Sequence, residues 1–295
     1  MRLKTEHEQR VNIENMNQQK INFFTYISHD LKTPLTLILS PLQRLIQPPQ
    51  ISNNDKEKLE VIYRNANRMN YLINELLTFS KIEMKQMRIS VRKGDIMHFL
   101  EELSHIFDIV AGEREIDFIV NLEDTEEEVW FSPSKLERIL YNLLSNAFKY
   151  TQPGGYVKLS AKLIKEEKGT FVQISVKDNG RGIPKEAQEQ IFESYYQVEK
   201  RDHREGFGLG LSLTRSLIHM HKGEIRVESE INKGSDFIVT LNVSEDAYNP
   251  DERSSENITT EEIQKYNQRI KETIELIPEK LTNKEKDPAR ESIMI

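Results

Sequence analysis

Two adjacent prolines in "QPPQISNND", residues 47–55, decide how the first third of this chain can fold. A proline inside a helix lacks the donor for the preceding turn and clashes with its carbonyl, so the pair ends any helix that reaches it. What comes before reads as one helix over residues 1–47. Its opening, "MRLKTEHEQRVNIENMNQQK", is almost wholly polar, as in a connecting helix or the solvated part of a coiled coil. From Ile21 the apolar content rises, and Phe24, Ile27, Leu31, Leu35, Ile38, Leu42 and Leu45 recur at spacings of three and four. A second helix is predicted from about Asp55 to about Met87, with Leu59, Ile62, Ala66, Met69, Ile73 and Leu76 in a heptad seam. Two seamed helices joined by a short loop make an antiparallel hairpin. A hairpin buries too little to stand alone, so a homodimer closing a four-helix bundle is its natural completion.

From Arg88 the pattern changes. "IDFIVNL", "YVKLSAKLI", "FVQISVKD", "EIRVESE" and "DFIVTLNV" are rich in β-branched residues and often alternate, as strands do. Helices are predicted between them at about 95–110, 133–149, 185–193 and 210–221. The fold class expected is therefore α+β: a helical hairpin followed by an α/β sandwich of one domain's length. The tail from Glu245 is charged and poor in aromatics. It reads as a linker with one helix near "TTEEIQKYNQRIKETIELI", ending on the apolar "SIMI".

Bulk properties narrow the function. Hydrophobic residues make up 37% and charged residues 30%, polar enough to call for extended helices or solvated tails. A net charge of -7 without a broad basic surface argues against direct contact with nucleic acid. The absence of cysteine excludes disulfides, thiolate metal sites and cysteine nucleophiles. No apolar run approaches the roughly 20 residues that span a bilayer, so no membrane contact is expected of this stretch.

Three segments of the second region carry chemistry. In "NLLSNAFKYT", Asn142 and Asn146 are four apart and share a helix face, with Lys149 and Tyr150 beyond them on the same side. An amide oxygen is a hard ligand suited to Mg²⁺, and a lysine suits phosphate. In "DNGRGIP", Asp178 ends a strand and could accept from a ligand amino group, while Gly180 and Gly182 permit close approach. In "GFGLGLSL", Gly206, Gly208 and Gly210 open a helix whose free N–H groups suit phosphate. Alone, each has a plainer reading: a surface helix, a glycine turn, a flexible loop.

Together and in this order, N-x-x-x-N-x-x-K-Y, D-x-G-x-G-I-P and G-x-G-L-G-L resemble the ATP-binding domain of sensor histidine kinases. That domain shares the GHKL ATPase fold with Hsp90, type II topoisomerases and mismatch-repair ATPases. The resemblance implies ATP and Mg²⁺ as cofactors. It implies Asn146 on Mg²⁺ with Asn142 near the phosphates, Lys149 on phosphate and Tyr150 flanking the nucleotide. Asp178 would read the adenine amino group, Gly180 and Gly182 would shape its pocket, and Gly206, Gly208 and Gly210 would let a lid close. "IFESYYQ" resembles the box before that lid, with Ser194 where arginine is usual, Tyr195 for phenylalanine and, further on, Phe207 for threonine.

"SHDLKTPL" resembles the phosphoacceptor box of the same kinases, and the resemblance covers about residues 15–245. A neutral imidazole, with a pKa of about 6.5, is a usable nucleophile, so His29 is the expected acceptor. Asp30 beside it can orient the ring and take its proton. Thr33 lies four residues on and could position a water for hydrolysis of a phospho-aspartate. Pro34 weakens the helix just after the histidine and reads as a hinge. The remaining histidines read as surface or packing residues; His219 and His221, two apart, do not share a helix face as ligands would.

The organisation expected is a signalling helix at 1–20, a dimerisation and phosphotransfer hairpin at 21–90, a catalytic domain at 91–245 and a linker at 246–295. The final "ESIMI" resembles the first strand of a receiver domain, which would make the full-length protein a hybrid kinase with its receiver in the same chain. The opening helix resembles one entering from a membrane-spanning sensor, placing this stretch in the cytoplasmic portion of an inner-membrane protein. Two other classes stay open: a degenerate kinase acting as dimeric scaffold or phosphatase, for which Ser194 speaks, and a non-kinase GHKL ATPase.

Overall fold

Side chains alternate across a strand, so a strand with one buried face shows its core in every second residue. The computed structural model describes residues 87–125, 127–198 and 208–274, with Leu37, Ile38 and scattered positions between 58 and 82. Its elements run β1 (Arg92–Asp95), α1 (Ile96–Ser104), α2 (Ile106–Arg114), β2 (Asp117–Leu122), β3 (Glu128–Phe131), α3 (Pro133–Tyr150), β4 (Tyr156–Glu166), β5 (Gly169–Asp178), α4 (Gly210–Met220), β6 (Glu224–Glu230), β7 (Gly234–Asn242) and α5 (Thr260–Ile274). The described positions from Lys58 to Ile82 are helical.

Five strands form one sheet in the order β2-β4-β5-β7-β6, with β2 parallel to β4 and the other pairs antiparallel. Val157, Leu159 and Ala161, Val172, Ile174 and Val176, and Phe237, Val239 and Leu241 are its buried face. The intervening residues face outward, where Lys158 lies opposite Lys177 and Ser160 opposite Ser175. Helices α2, α3 and α4 cover the buried face. In α3, Leu136, Ile139, Leu140, Leu143, Leu144, Ala147 and Phe148 repeat at helical spacing and are buried. Phe148 stacks on Phe107 at 5.7 Å and meets Phe118 edge-on at 5.3 Å. The opposite face of α3, with Asn142, Asn146 and Lys149, is left half-exposed.

Local structure departs from the sequence expectation in three places. The helix expected at 95–110 is two, broken at His105, whose N–H turns back to Glu101 and whose carbonyl accepts from Asp108. The helix expected at 185–193 is two short 3₁₀ turns, Lys185–Ala187 and Gln190–Phe192. Only Ala187 and Ile191 are buried there, too little apolar surface to hold a longer helix. Strands β1 and β3 pair antiparallel with each other but are four residues each, too short to show an alternation.

Residues 246–274 pack along this body. Tyr248 is buried and its hydroxyl donates to the carbonyl of Asn242. Val91 exchanges backbone bonds with this segment, donating to Glu252 at 2.8 Å and accepting from Ser254 at 2.9 Å. Arg92 in β1 grips both carboxylate oxygens of Glu262 in α5, at 3.0 and 2.7 Å. Ile263, Tyr266 and Ile270, at spacings of three and four, bury one stripe of α5, and Tyr266 meets Phe99 of α1 edge-on at 5.8 Å. Truncating a buried aromatic removes its transfer energy and leaves a cavity. Tyr266→Ala is therefore expected to lower the unfolding free energy by about 3 kcal/mol in urea denaturation; a loss under about 1 kcal/mol would contradict the docking of α5.

Candidate functional site

Helix α3 carries most of the polar residues singled out from sequence, and its position is set from both ends. At its start, Pro133 occupies the first turn, where a missing N–H costs nothing. The N–H of Ser132 just before it is donated to Nε2 of the fully buried His221, at 3.1 Å. The other ring nitrogen, Nδ1, donates to the carbonyl of Leu217 at 2.9 Å. That fixes a neutral imidazole with its proton on Nδ1. Burial pushes its pKa down to about 4, the Leu217 bond opposes this, and the charge of Lys135 adds to it. His221 thus ties the end of α4 to the start of α3, the packing role that sequence allowed it.

Midway along α3, Asn142 joins the two helices. Its Nδ2 donates to Thr214 Oγ1 of α4 at 2.7 Å. Its Oδ1 lies against Gly210, the first residue of α4, where a Cβ would come within 2.6 Å. A side chain at 210 would displace the Asn142 amide and with it the bond to Thr214. Gly208, two residues earlier, is at φ 68° with its Cα against the backbone of Tyr195 and Tyr196. Asn146, one turn past Asn142, is half-buried, and its carboxamide makes no hydrogen bond among the described residues. A hard oxygen so placed fits one coordination position of a Mg²⁺ ion that keeps water and substrate oxygens in the others.

At its far end α3 meets the loop after β5. Asp178 is 4% exposed, and its Oδ1 accepts from the N–H of Gly180 at 2.8 Å. Burial raises its pKa to about 6; the N–H groups of Gly180 and Ser235 hold it down and the charge of Asp236 adds to the rise. Gly180 lies directly on the carbonyl of Tyr150. Gly182, at φ 69°, lies on the carbonyl of Glu230, which leaves no room for a side chain. The Lys149 Nζ is 4.8 Å, and the Arg181 guanidinium 4.3 Å, from the centre of the Tyr150 ring.

The sequence-selected residues Asn142 and Gly210, and Tyr150, Gly180 and Asp178, are thus in contact around one helix. His29, Asp30, Thr33 and Gly206 lie outside the described residues. Sequence reasoning passed over the contacts that the second hairpin helix makes with this body. Thr78 Oγ1 accepts from Arg138 of α3 at 2.7 Å, and the Tyr71 ring lies 6.1 Å from that of Tyr141. Tyr71 also donates to Glu75 at 2.9 Å; burial raises the carboxyl pKa of Glu75 and Arg138 opposes it. Phe79 meets Tyr195 edge-on at 5.8 Å, and both pack on buried Leu209. Tyr195 has φ 69°, a backbone that costs a bulky residue roughly 1–3 kcal/mol.

The residues that bear these contacts fall inside two family models. One, described as histidine kinase-, DNA gyrase B- and HSP90-like ATPase, matches residues 131–245. This body is an ATPase domain of that class. A second model, the His Kinase A (phospho-acceptor) domain, matches residues 19–85. With both modules in this order, the chain belongs to the sensor histidine kinases. It is 35% identical over 283 residues to the histidine kinase P4 of Formosa agariphila, covering 92% of this chain and 20% of that protein. It is 32% identical over 233 residues to hybrid signal transduction histidine kinase D of Dictyostelium discoideum, covering 78% of this chain and 15% of that one. The chain therefore spans a fifth or less of the length of these curated relatives. Among solved structures, full-length ShkA in complex with AMPPNP is similar with a TM-score of 0.58 and 25% identity, over 74% of this chain and 45% of that one.

The His221 tie gives a pH signature. Its folded pKa of about 4 lies below the ordinary histidine value of about 6.5. Its contribution is whole above pH 6.5 and is lost as pH falls toward 4, because the unfolded chain then binds the extra proton. Asp178 works the other way: its raised pKa favours the folded state at low pH, and that favour is lost as pH rises through about 6. The two are separated by comparing the protein with His221→Gln. Between pH 7 and pH 5 the unfolding free energy of the parent is expected to fall by about 2 kcal/mol more than that of the variant. Parallel pH profiles would remove the role given to His221.

Proposed function

We propose that this chain binds ATP in the site around α3 and transfers its γ-phosphoryl group to His29, as an autophosphorylating protein-histidine kinase. The observation that carries the reading is the meeting of all three motif segments on one helix, through the Asn142–Gly210 and Tyr150–Gly180 contacts. In this reading Asp178 accepts from the adenine amino group, with Gly180 and Gly182 shaping the space beside it and Tyr150 flanking the base. Asn146 offers its amide oxygen to Mg²⁺, Asn142 stands on the same face, and Lys149 turns to phosphate. Gly206, Gly208 and Gly210 give the backbone freedom to close over the phosphates. Mg²⁺ would supply charge neutralisation on the phosphate oxygens.

His29 would attack as the neutral imidazole: a nitrogen–phosphorus bond forms, the bond to the bridging oxygen breaks, and ADP leaves. Asp30 orients the ring and takes the proton from its second nitrogen. The phosphoryl group then passes to an aspartate of a receiver domain, and Thr33 positions water for the reverse, hydrolytic step. A receiver in the same full-length chain agrees with the hybrid kinase among the relatives. Homodimerisation through the hairpin agrees with Leu59, a seam position left 45% exposed in the single chain. No described helix is long and apolar enough to cross a membrane. We place the chain on the cytoplasmic side of an inner-membrane sensor, in line with sensor kinases of this family.

Incubation with Mg²⁺ and γ-labelled ATP is expected to leave label that is stable to alkali, labile to acid and absent from His29→Gln. ATP binding without any label would support the scaffold or phosphatase reading instead. A second expectation follows from Asp178, whose pKa stands at about 6 and whose ionised form accepts from adenine. Nucleotide affinity should fall roughly tenfold from pH 7 to pH 5 as that form is lost. Asp178→Asn should bind weakly at both. Equal pH dependence in parent and variant, measured by calorimetric titration, would take Asp178 out of the base pocket.

A further inference from the structure

Arg181 was not among the residues selected from sequence, yet its backbone is fixed on both sides. Gly180 before it rests on the Tyr150 carbonyl, and Gly182 after it rests on the Glu230 carbonyl. Its own carbonyl accepts from the N–H of Asn232 at 2.8 Å. The side chain starts from this clamp and brings its guanidinium to 4.3 Å from the Tyr150 ring centre. A guanidinium over a tyrosine face is attracted by the ring quadrupole, and it is planar and charged at every working pH. Lys149 also sits on that ring, at 4.8 Å. In the reading above, Lys149 is needed at the phosphates. Once it turns there, Arg181 remains as the cation on Tyr150.

We infer that Arg181 is a positioning residue for nucleotide binding: it holds the Tyr150 ring as a wall of the base pocket and so frees Lys149 for phosphate. The inference rests on Tyr150 flanking the nucleotide. Arg181 acts through Tyr150 and need not touch ATP. Its loss should therefore weaken nucleotide binding modestly and leave the chemical step alone. A cation–π contact at a half-exposed ring corresponds to roughly threefold in affinity.

The test is a double-mutant cycle on the full chain, with Mg²⁺–AMPPNP titrated calorimetrically and KM and kcat for ATP taken from autophosphorylation. Arg181→Ala is expected to raise Kd and KM roughly threefold with kcat and Tm unchanged, and Arg181→Lys to recover most of the loss. In a Tyr150→Ala background, Arg181→Ala should cost nothing further. A full penalty persisting in that background, and larger for ATP than for ADP, would mean that Arg181 meets the phosphates itself and overturns the inference. A lowered Tm for Arg181→Ala would assign the residue to fold stability and overturn it too. If Tyr150→Ala weakens binding and Arg181→Ala does not, the inference alone fails. If Tyr150→Ala leaves binding untouched, the reading of the pocket wall fails with it.

Discussion

The amide of Asn142, bonded to Thr214 through its nitrogen and pressed on Gly210 through its oxygen, sets how closely α3 and α4 approach. Everything proposed for the site depends on that spacing. Helix α4 begins at Gly210, so its free N–H groups are brought beside the polar face of α3 that carries Asn146 and Lys149. His221 fixes the same pair of helices at their other end. The two ties make α3 and α4 one rigid unit, and the loop after β5 is added to it at Tyr150. The proposed phosphate site needs donors that are in place before the ligand arrives, and two helices tied in this way would provide them.

Much of this was legible in the chain. Strands β4, β5 and β7 show in the alternation of residues such as Val157, Leu159 and Ala161, because one face is buried and the other is not. Helix α3 shows in the spacing of its leucines. What sequence does not carry is which distant partner a residue meets. The spacing to Asn146 places Asn142 on a helix face, but does not show that its Nδ2 bonds Thr214 of α4. The apolar spacing of Ile263, Tyr266 and Ile270 could be read, but not that Phe99 lies beneath it. Strands β1 and β3 were missed because "RKGD" and "EVWF" are too short for a period to appear. The described part of the hairpin carries a comparable lesson. Tyr195 reads in sequence as a departure from a family pattern near the lid, and in space it is the residue that touches Phe79.

Two of the buried ionisable groups, His221 and Asp178, show how burial serves different ends. His221 and Asp178 are both kept from water, and both are held neutral more readily than usual. For His221 the neutral form is the one the structure uses, since a protonated Nε2 could not accept from Ser132. For Asp178 the ionised form is the one the proposed ligand needs. Burial therefore supports the first role and works against the second, and the N–H groups of Gly180 and Ser235 help keep Asp178 ionised at neutral pH.

The docking of α5 also bears on the order in which the molecule can be made. Arg92 and Glu262 are 170 residues apart. A ribosome delivers β1 and α1 early and α5 among the last parts of the body. Phe99 and its neighbours must then wait, uncovered by Tyr266, until the chain has emerged past α5. Contacts of such long range close late and slow the final step of folding. The nascent domain thus passes through a stage in which its sheet can form while one flank of its core is still open to whatever else is nearby.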